Sequence, residues 1–224
     1  MAVPRYAIYA VPEGVFYARG AAWLGWDSAA GRDIAQPALA GLSPEVTARP
    51  ARYGFHATLR APFVLQDGVS YEDLVTLCKN LGRSLPALSI GPLQLVRLGR
   101  FLALIPEPQP EITAFASEIV RRTNDIRKPL SEEEIERRSS DRFGSSDRDY
   151  LIRWGYAHVM DRFKLHFTLT DKLGKTQLDT LESAATDWFQ SALNDHLAIN
   201  SLCIMGEEPH SKRFRLLHRI SLKG

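Results

Sequence analysis

The sequence predicts an α+β fold built by internal duplication, on three observations. The tetrapeptide His56-Ala57-Thr58-Leu59 returns 110 residues later as His166-Phe167-Thr168-Leu169, and both copies are typical of β-strands. The order strand, helix, motif strand, helix, strand occurs twice, and the helices are amphipathic. We therefore expect a single domain, residues 1–224, with a first repeat at about 1–99 and a second repeat at about 100–224.

The first repeat contains the clearest helix signal of this half. Ser70 and Asp73 form a capping-box pattern ahead of an apolar stripe that runs to Leu85. The segment 25–50 is rich in Ala, Gly and Pro, which favours a mostly irregular connection. The predicted elements are a strand over 6–11, a helix over 15–24, the irregular connection, the motif strand, the helix over 74–85, and a hairpin formed by 88–98 and 101–105.

The second repeat differs from the first by a charged helical insertion at about 125–161. This segment mixes charges of both signs, and Ser131 and Glu134 form another capping-box pattern, so we expect exposed helices there. The other predicted elements are a strand over 101–105, a helix over 112–123, the second motif strand, a helix over 178–193, and strands over 199–205 and 214–222.

Composition narrows the function classes only a little. The chain is 45% apolar and 24% charged, as in ordinary globular proteins. A formal charge of +2 does not argue for nucleic acid, although a pI of about 8.6 suits an anionic ligand. Cys78 and Cys203 lack CxxC spacing and are predicted core residues. Because no apolar stretch could span a bilayer and no signal-peptide pattern is present, we expect a cytoplasmic protein.

The repeated motif places two histidines and two threonines on strand faces. Residues two apart in a strand share a face, so His56 lies beside Thr58, and His166 beside Thr168. If the two strands are neighbours, two imidazoles and two hydroxyls form a nearly symmetric polar site of phosphate size. A single histidine in a strand is usually structural, and threonine has its own preference for strands, but the recurrence in matching positions favours a site.

The paired motifs resemble the two-histidine (2H) phosphoesterase superfamily, in particular its bacterial branch associated with phosphonate-utilisation operons. Besides the motifs, the resemblance rests on the stretches 5–9, 53–59, 154–156 and 214–219, and it covers nearly the whole chain. It implies a bilobal α+β structure, in which two antiparallel sheets face each other across a central cleft and helices cover the outer faces.

The residue types suit the chemistry that this resemblance implies. Opening a cyclic phosphodiester needs one group to take a proton from water and another to give a proton to the departing alkoxide. Histidine titrates near neutrality and serves both purposes, so His56 and His166 are the predicted catalytic pair, with their acid and base roles left open. Thr58 and Thr168 are predicted to bind the phosphate oxygens. No cofactor or metal is expected, because no further ligands complete a zinc site.

Four more residues are candidates for lining the cleft. Arg60 shares the predicted face of His56, and Thr170 that of His166, so both are placed at the rim. Tyr53 and Tyr156 are placed where they could stack on a base or a sugar. Core packing is the competing interpretation for the tyrosines.

These features predict a metal-independent cyclic phosphodiesterase, a hydrolase of small cyclic phosphate esters, with phosphonate metabolism as its expected context. The alternatives are an RNA 2′,3′-cyclic phosphodiesterase and a non-catalytic module that binds phosphate esters or RNA. RNA is not favoured, because the sequence shows no continuous basic track with aromatic stacking residues. We expect a monomer with no membrane partner.

Overall fold

The computed structural model describes residues 5–139, 144–193 and 197–224, so residues 140–143 of the predicted insertion lie outside it. The described chain forms a mixed α/β fold with one large antiparallel sheet. Its strands are β1 (Arg5–Ala10), β2 (Trp26–Asp27), β3 (Arg32–Asp33), β4 (Ala57–Val64), β5 (Leu88–Gly91), β6 (Leu93–Leu98), β7 (Phe101–Pro106), β8 (Phe167–Thr168), β9 (Leu197–Ile199), β10 (Ser201–Glu207) and β11 (Phe214–Ser221). Its helices are α1 (Gly14–Leu24), α2 (Pro44–Tyr53), α3 (Tyr71–Ser84), α4 (Pro110–Arg122), α5 (Glu132–Arg138), α6 (Ser145–Trp154) and α7 (Lys175–Leu193), with a 3₁₀ turn at Met160–Arg162.

The large sheet has seven strands in the order β11-β10-β1-β4-β8-β7-β6. The two motif strands meet at its middle, where β4 and β8 pair through Ala57 and Phe167. The expectation of two separate sheets facing each other is therefore corrected. The strands of both halves form one sheet because the backbones of β4 and β8 are paired directly.

The strand order interleaves the two predicted repeats. From the central pair outward, β4 is followed by β1 and then β10, while β8 is followed by β7 and then β6. Each side thus ends with a strand from the opposite half of the chain. This is the arrangement that a duplicated chain with exchanged outer strands would give, and the duplication itself stays a prediction. The predicted boundary at 99/100 falls in the β6–β7 turn, where Gly99 has φ +64°.

The face of the sheet behind the motifs is an aromatic core. Phe55 and Phe167 are buried, and their rings stack at 5.3 Å. Phe16 of α1 meets both rings edge-on, and Phe189 of α7 stacks on Phe55 at 6.1 Å. A Cβ on Gly20 of α1 would lie 2.1 Å from the Phe55 ring, so the helix approaches this closely only with glycine. The core therefore fixes the backbone from which the motif histidines project.

The segment 25–50 is the largest error of the element predictions, because it contains most of α2. Ser43 precedes this helix, and Pro44 opens it, which is a recognised start signal. Pro50 inside the same helix obscured that signal, since proline usually ends helices. The helix ends at Tyr53 and is followed by Gly54, whose φ of +78° favours glycine. The error matters because α2 carries residues to the site.

The predicted insertion contains two helices, α5 and α6, in its described part. Ser131 and Glu134 form the expected capping box at the start of α5. Ile135 of α5 and Leu151 of α6 are buried, so both helices pack against other residues rather than extending freely into solvent. Cys78 and Cys203 are buried, as predicted. None of the helices in the described ranges combines the length and apolarity needed to cross a membrane.

Candidate functional site

The central strand pair brings the four motif side chains together. Ala57 lies opposite Phe167, so continuing the antiparallel register by one residue in each direction places His56 opposite Thr168 and Thr58 opposite His166. Side chains in such cross-strand pairs are within about 5.5 Å of each other at Cβ. All four side chains are half-buried and line one cavity of about 330 Å³.

His56 is held in one orientation by its own strand and by an aromatic neighbour. Its Nδ1 donates to the carbonyl of Gly54 at 2.8 Å, and its Nε2 lies 3.1 Å from the hydroxyl of Thr58. The ring stacks on Tyr9 with centroids 3.7 Å apart. Burial lowers the pKa of His56 to about 4, the Gly54 carbonyl opposes that shift, and the nearby His166 adds to it. His56 is therefore neutral at pH 7, and its Nε2 is the nitrogen available as a base.

His166 has the same local hydrogen bond and a more open aromatic contact. Its Nδ1 donates to the carbonyl of Lys164 at 2.8 Å, again from the residue two positions earlier. The ring of Phe101 lies 6.2 Å away and is tilted. Burial lowers the pKa of His166, the Lys164 carbonyl opposes the shift, and His158 adds to it. Both histidines thus have Nδ1 tied to the backbone, so Nε2 is the ring nitrogen that can meet a ligand, and at His56 the hydroxyl of Thr58 already lies beside it.

Arg60 does not line the cavity, which corrects the prediction from strand alternation. Tyr9 pairs with Thr58 but Ile8 pairs with Arg60, so β4 carries one extra residue there, a β-bulge that changes which side chains face the cavity. Ala61 lines it instead. The guanidinium of Arg60 is buried and donates to the carbonyl of Trp154 at 2.9 Å and to the side chain of Asn124 at 3.3 Å. Burial and then the neighbouring Arg127 lower its pKa to about 9.

The other three predicted residues do line the cavity. Tyr53 stacks on Phe214 at 5.3 Å, and Tyr156 comes from the turn after α6. The hydroxyl of Thr170 accepts from the backbone amide of Leu102 at 3.0 Å and donates to the carbonyl of Asp171 at 2.9 Å. The hydroxyl of Thr170 is therefore engaged by the backbone, which makes Thr170 a structural residue of the cavity wall.

The residues that line the cavity without having been predicted from the sequence include Tyr9, Arg49, Phe101 and Lys172. Arg49 lies on the unpredicted helix α2. Lys172 continues the alternation of 166, 168 and 170, which was a usable signal. For Tyr9 and Phe101 the sequence offered no such signal, because apolar residues fill both faces of β1 and β7.

Within the ranges that the structure covers, no three His, Cys, Asp or Glu side chains come together as a possible metal site. Metal independence stays a prediction.

Comparison with known proteins gives a family and two relatives. A family model described as "Protein of unknown function (DUF1045)" matches residues 58–215. Two proteins named "Ribose 1,5-bisphosphate phosphokinase PhnN" match: one from Janthinobacterium sp. is 32% identical over 98% of this chain, and one from Laribacter hongkongensis is 30% identical over 97%. The chain spans about half the length of these relatives, 51% and 52% respectively.

One solved structure, described as "Crystal structure of phosphoesterase", is similar over 100% of both chains, with a TM-score of 0.45 and 14% identity. A likeness this weak supports no conclusion about fold or activity.

Proposed function

This chain belongs to the DUF1045 family, and from its paired histidines we propose that it is a phosphoesterase that opens a small cyclic phosphate ester. One observation carries the proposal. Both imidazoles have Nδ1 tied to a backbone carbonyl and line one cavity together with both motif threonines. General acid–base catalysis of phosphate ester hydrolysis needs such a pair on either side of a bound phosphorus.

The proposed reaction uses each imidazole once. The neutral His56 takes a proton from water at Nε2 while the water oxygen forms a bond to phosphorus. The bond from phosphorus to the ring oxygen breaks, and the protonated His166 gives its Nε2 proton to that oxygen. The product is a phosphate monoester with a free hydroxyl.

The surroundings of the two rings support this assignment of roles. His56 is the more strongly held in its neutral form, as a base requires, and its pKa is lowered to about 4. A bound phosphate anion raises the proton affinity of His166, since opposite charge stabilises the imidazolium. The hydroxyl of Thr168 donates to a non-bridging oxygen, and the hydroxyl of Thr58 turns from His56 Nε2 to another such oxygen when the substrate binds. Both then stabilise the charge that develops there.

For the substrate, we propose a 1,2-cyclic phosphate of ribose 5-phosphate. A cavity of about 330 Å³ suits a small molecule rather than a polymer. The relatives are named for ribose 1,5-bisphosphate. Hydrolysis of the bond between phosphorus and O2 of the cyclic ester would produce that compound. The phosphonate context expected from the 2H resemblance is part of this proposal.

The kinase activity in the relatives' name is better placed in the half that this chain does not match. The P-loop of many kinases reads GxxxxGK[ST] and lies between a strand of a parallel sheet and a helix. Gly174 precedes α7, which begins with Lys175-Thr176, but Leu169 stands where the first glycine would be. The sheet is also antiparallel. We therefore do not propose phosphoryl transfer from a nucleotide for these residues.

The test is hydrolysis of a substrate panel followed by phosphorus NMR. The panel contains ribose 5-phosphate 1,2-cyclic phosphate, 2′,3′-cyclic nucleotides and an oligonucleotide with a 2′,3′-cyclic end, each with and without EDTA. We expect the ribose ester to be opened fastest and EDTA to have no effect. His210→Ala is the control variant, since His210 is exposed and lies away from the cavity. If the oligonucleotide is opened faster than the ribose ester, RNA becomes the proposed substrate. If the esters bind but are not hydrolysed, the proposal that the protein is an enzyme is contradicted.

A further inference from the structure

The two ends of the cavity differ in charge although the motifs are alike. Beyond the first motif the cavity is lined by Ala61 and Pro62, whereas beyond the second it is lined by Asp171 and Lys172. Helix α2 adds Arg49 to the same cavity. A symmetric phosphate site between the histidines does not account for this charged end.

The charged end is built by hydrogen bonds between α2 and the segment after β8. The amide of Asp171 donates to the carbonyl of Val46 at 2.8 Å. The amide of Arg49 donates to Oδ1 of Asp171 at 2.9 Å. These two bonds join segments far apart in the sequence, so Arg49 and Lys172 reach one cavity. The second bond also gives the Asp171 carboxylate a structural partner, the backbone amide of Arg49.

The two cations are free of the ion pairs that occupy many other basic residues. Arg49 and Lys172 are both exposed. Across the described ranges, the ion pairs include neither of them. Lys175, a few residues further on, is by contrast paired with Asp179 at 2.9 Å. Two cations beside one engaged carboxylate leave a net positive end that is open to an anion.

We propose that Arg49 and Lys172 bind a phosphate monoester of the same molecule whose cyclic phosphate lies between His56 and His166. This inference rests on the proposed function and deepens it, because it assigns the residues that bind the 5-phosphate of a sugar that carries both a cyclic phosphate and a phosphate monoester. A monoester carries close to two negative charges at neutral pH, which matches two cations. Arginine can also contact two of its oxygens at once.

The test compares two substrates across Arg49→Gln, Lys172→Gln and the double variant. The substrates are ribose 5-phosphate 1,2-cyclic phosphate and the same cyclic ester without the 5-phosphate. We expect wild type to prefer the phosphorylated ester and each single variant to lose about 10-fold in kcat/KM on that ester alone, as expected for a lost hydrogen bond to a charged group. Lys175→Gln is the matched control and should change neither rate.

Three outcomes decide the inference. Equal wild-type rates on the two esters, or equal losses on both in the variants, would overturn it. If wild type opens neither ester, the proposed function fails, and calorimetric titration with ribose 5-phosphate then decides the inference separately. Binding to wild type that is weakened about 10-fold or more in the double variant would support the anion site, and unchanged or undetectable binding would overturn it.

Discussion

The two histidine motifs have the same sequence pattern but different surroundings. His56 precedes an eight-residue strand, stacks on Tyr9 at 3.7 Å and has Thr58 at hydrogen-bond distance from its Nε2. His166 precedes a strand of two residues, and its aromatic neighbour Phe101 is 6.2 Å away. A repeat can thus supply two equivalent side chains, while the packing around each one decides its protonation and hence its role.

The largest expected effect is the loss of either imidazole. His56→Ala and His166→Ala should each lower kcat/KM by a factor of roughly 10² to 10⁴, the usual contribution of a general acid or base. An activated aryl phosphodiester separates the two roles, because its leaving group needs no proton. On that substrate His166→Ala should recover most of its activity, and His56→Ala should not. Recovery by His56→Ala instead would reverse the assignment.

The second prediction concerns the pH dependence of kcat/KM. His56 must be neutral to act, so the acid limb of the pH profile should lie near the His56 pKa of about 4. His166 must be protonated to act, and burial holds its pKa below the ordinary value. The optimum should therefore lie between about pH 4 and 6.5, with a roughly tenfold fall for each pH unit above the pKa of His166. A rate that keeps rising to pH 8 would contradict this assignment of protons.

The threonines should have smaller and unequal effects. Thr58→Val and Thr168→Val each remove a hydroxyl proposed to bind the phosphate, which should cost about 10-fold in kcat. Thr58→Val should in addition move the acid limb of the pH profile, because the Thr58 hydroxyl contacts His56 Nε2. Identical pH profiles for the two variants would show that the difference between the motifs does not extend to the hydroxyls.

The smallest expected effect on activity concerns Arg60, whose place in the second motif is taken by Thr170. Arg60→Met should lower the free energy of unfolding by about 1–3 kcal/mol, because the carbonyl of Trp154 loses a buried donor. Urea denaturation measures this, with the exposed Arg215→Met as the control. We expect kcat to change little. A large loss of kcat at an unchanged free energy of unfolding would show that Arg60 acts in the candidate site.

Sequence alone predicted the parts of the fold that have strong local signals. The capping boxes at Ser70 and Ser131 and the repeated motif placed α3, α5 and the two central strands correctly. The helix α2 was missed because Pro50 contradicts a helix locally, and tertiary packing outweighs that preference. The single sheet was missed because strand partners are set by distant residues such as Ala57 and Phe167.

The candidate site shows the same division. Strand alternation predicted that His56 shares a face with Thr58 and that His166 shares a face with Thr168. All four residues line the cavity. Strand alternation failed at Arg60, because a β-bulge adds a residue to β4 without any signal in the sequence. Strand alternation within the motifs could not identify Tyr9 or Arg49, since these residues reach the cavity only because β1 and α2 pack beside the motif strands.

The interleaving of strands from the two halves of the chain has a consequence for the chain as a whole. Since β6 pairs with β7 and β10 with β1, a cut between residues 99 and 100 would leave each fragment with an unpaired strand edge. We therefore expect neither piece to fold on its own and the two pieces to be stable only when they reassociate. If the predicted duplication took place, an ancestor consisting of one repeat would have needed a second copy of itself to complete its sheet.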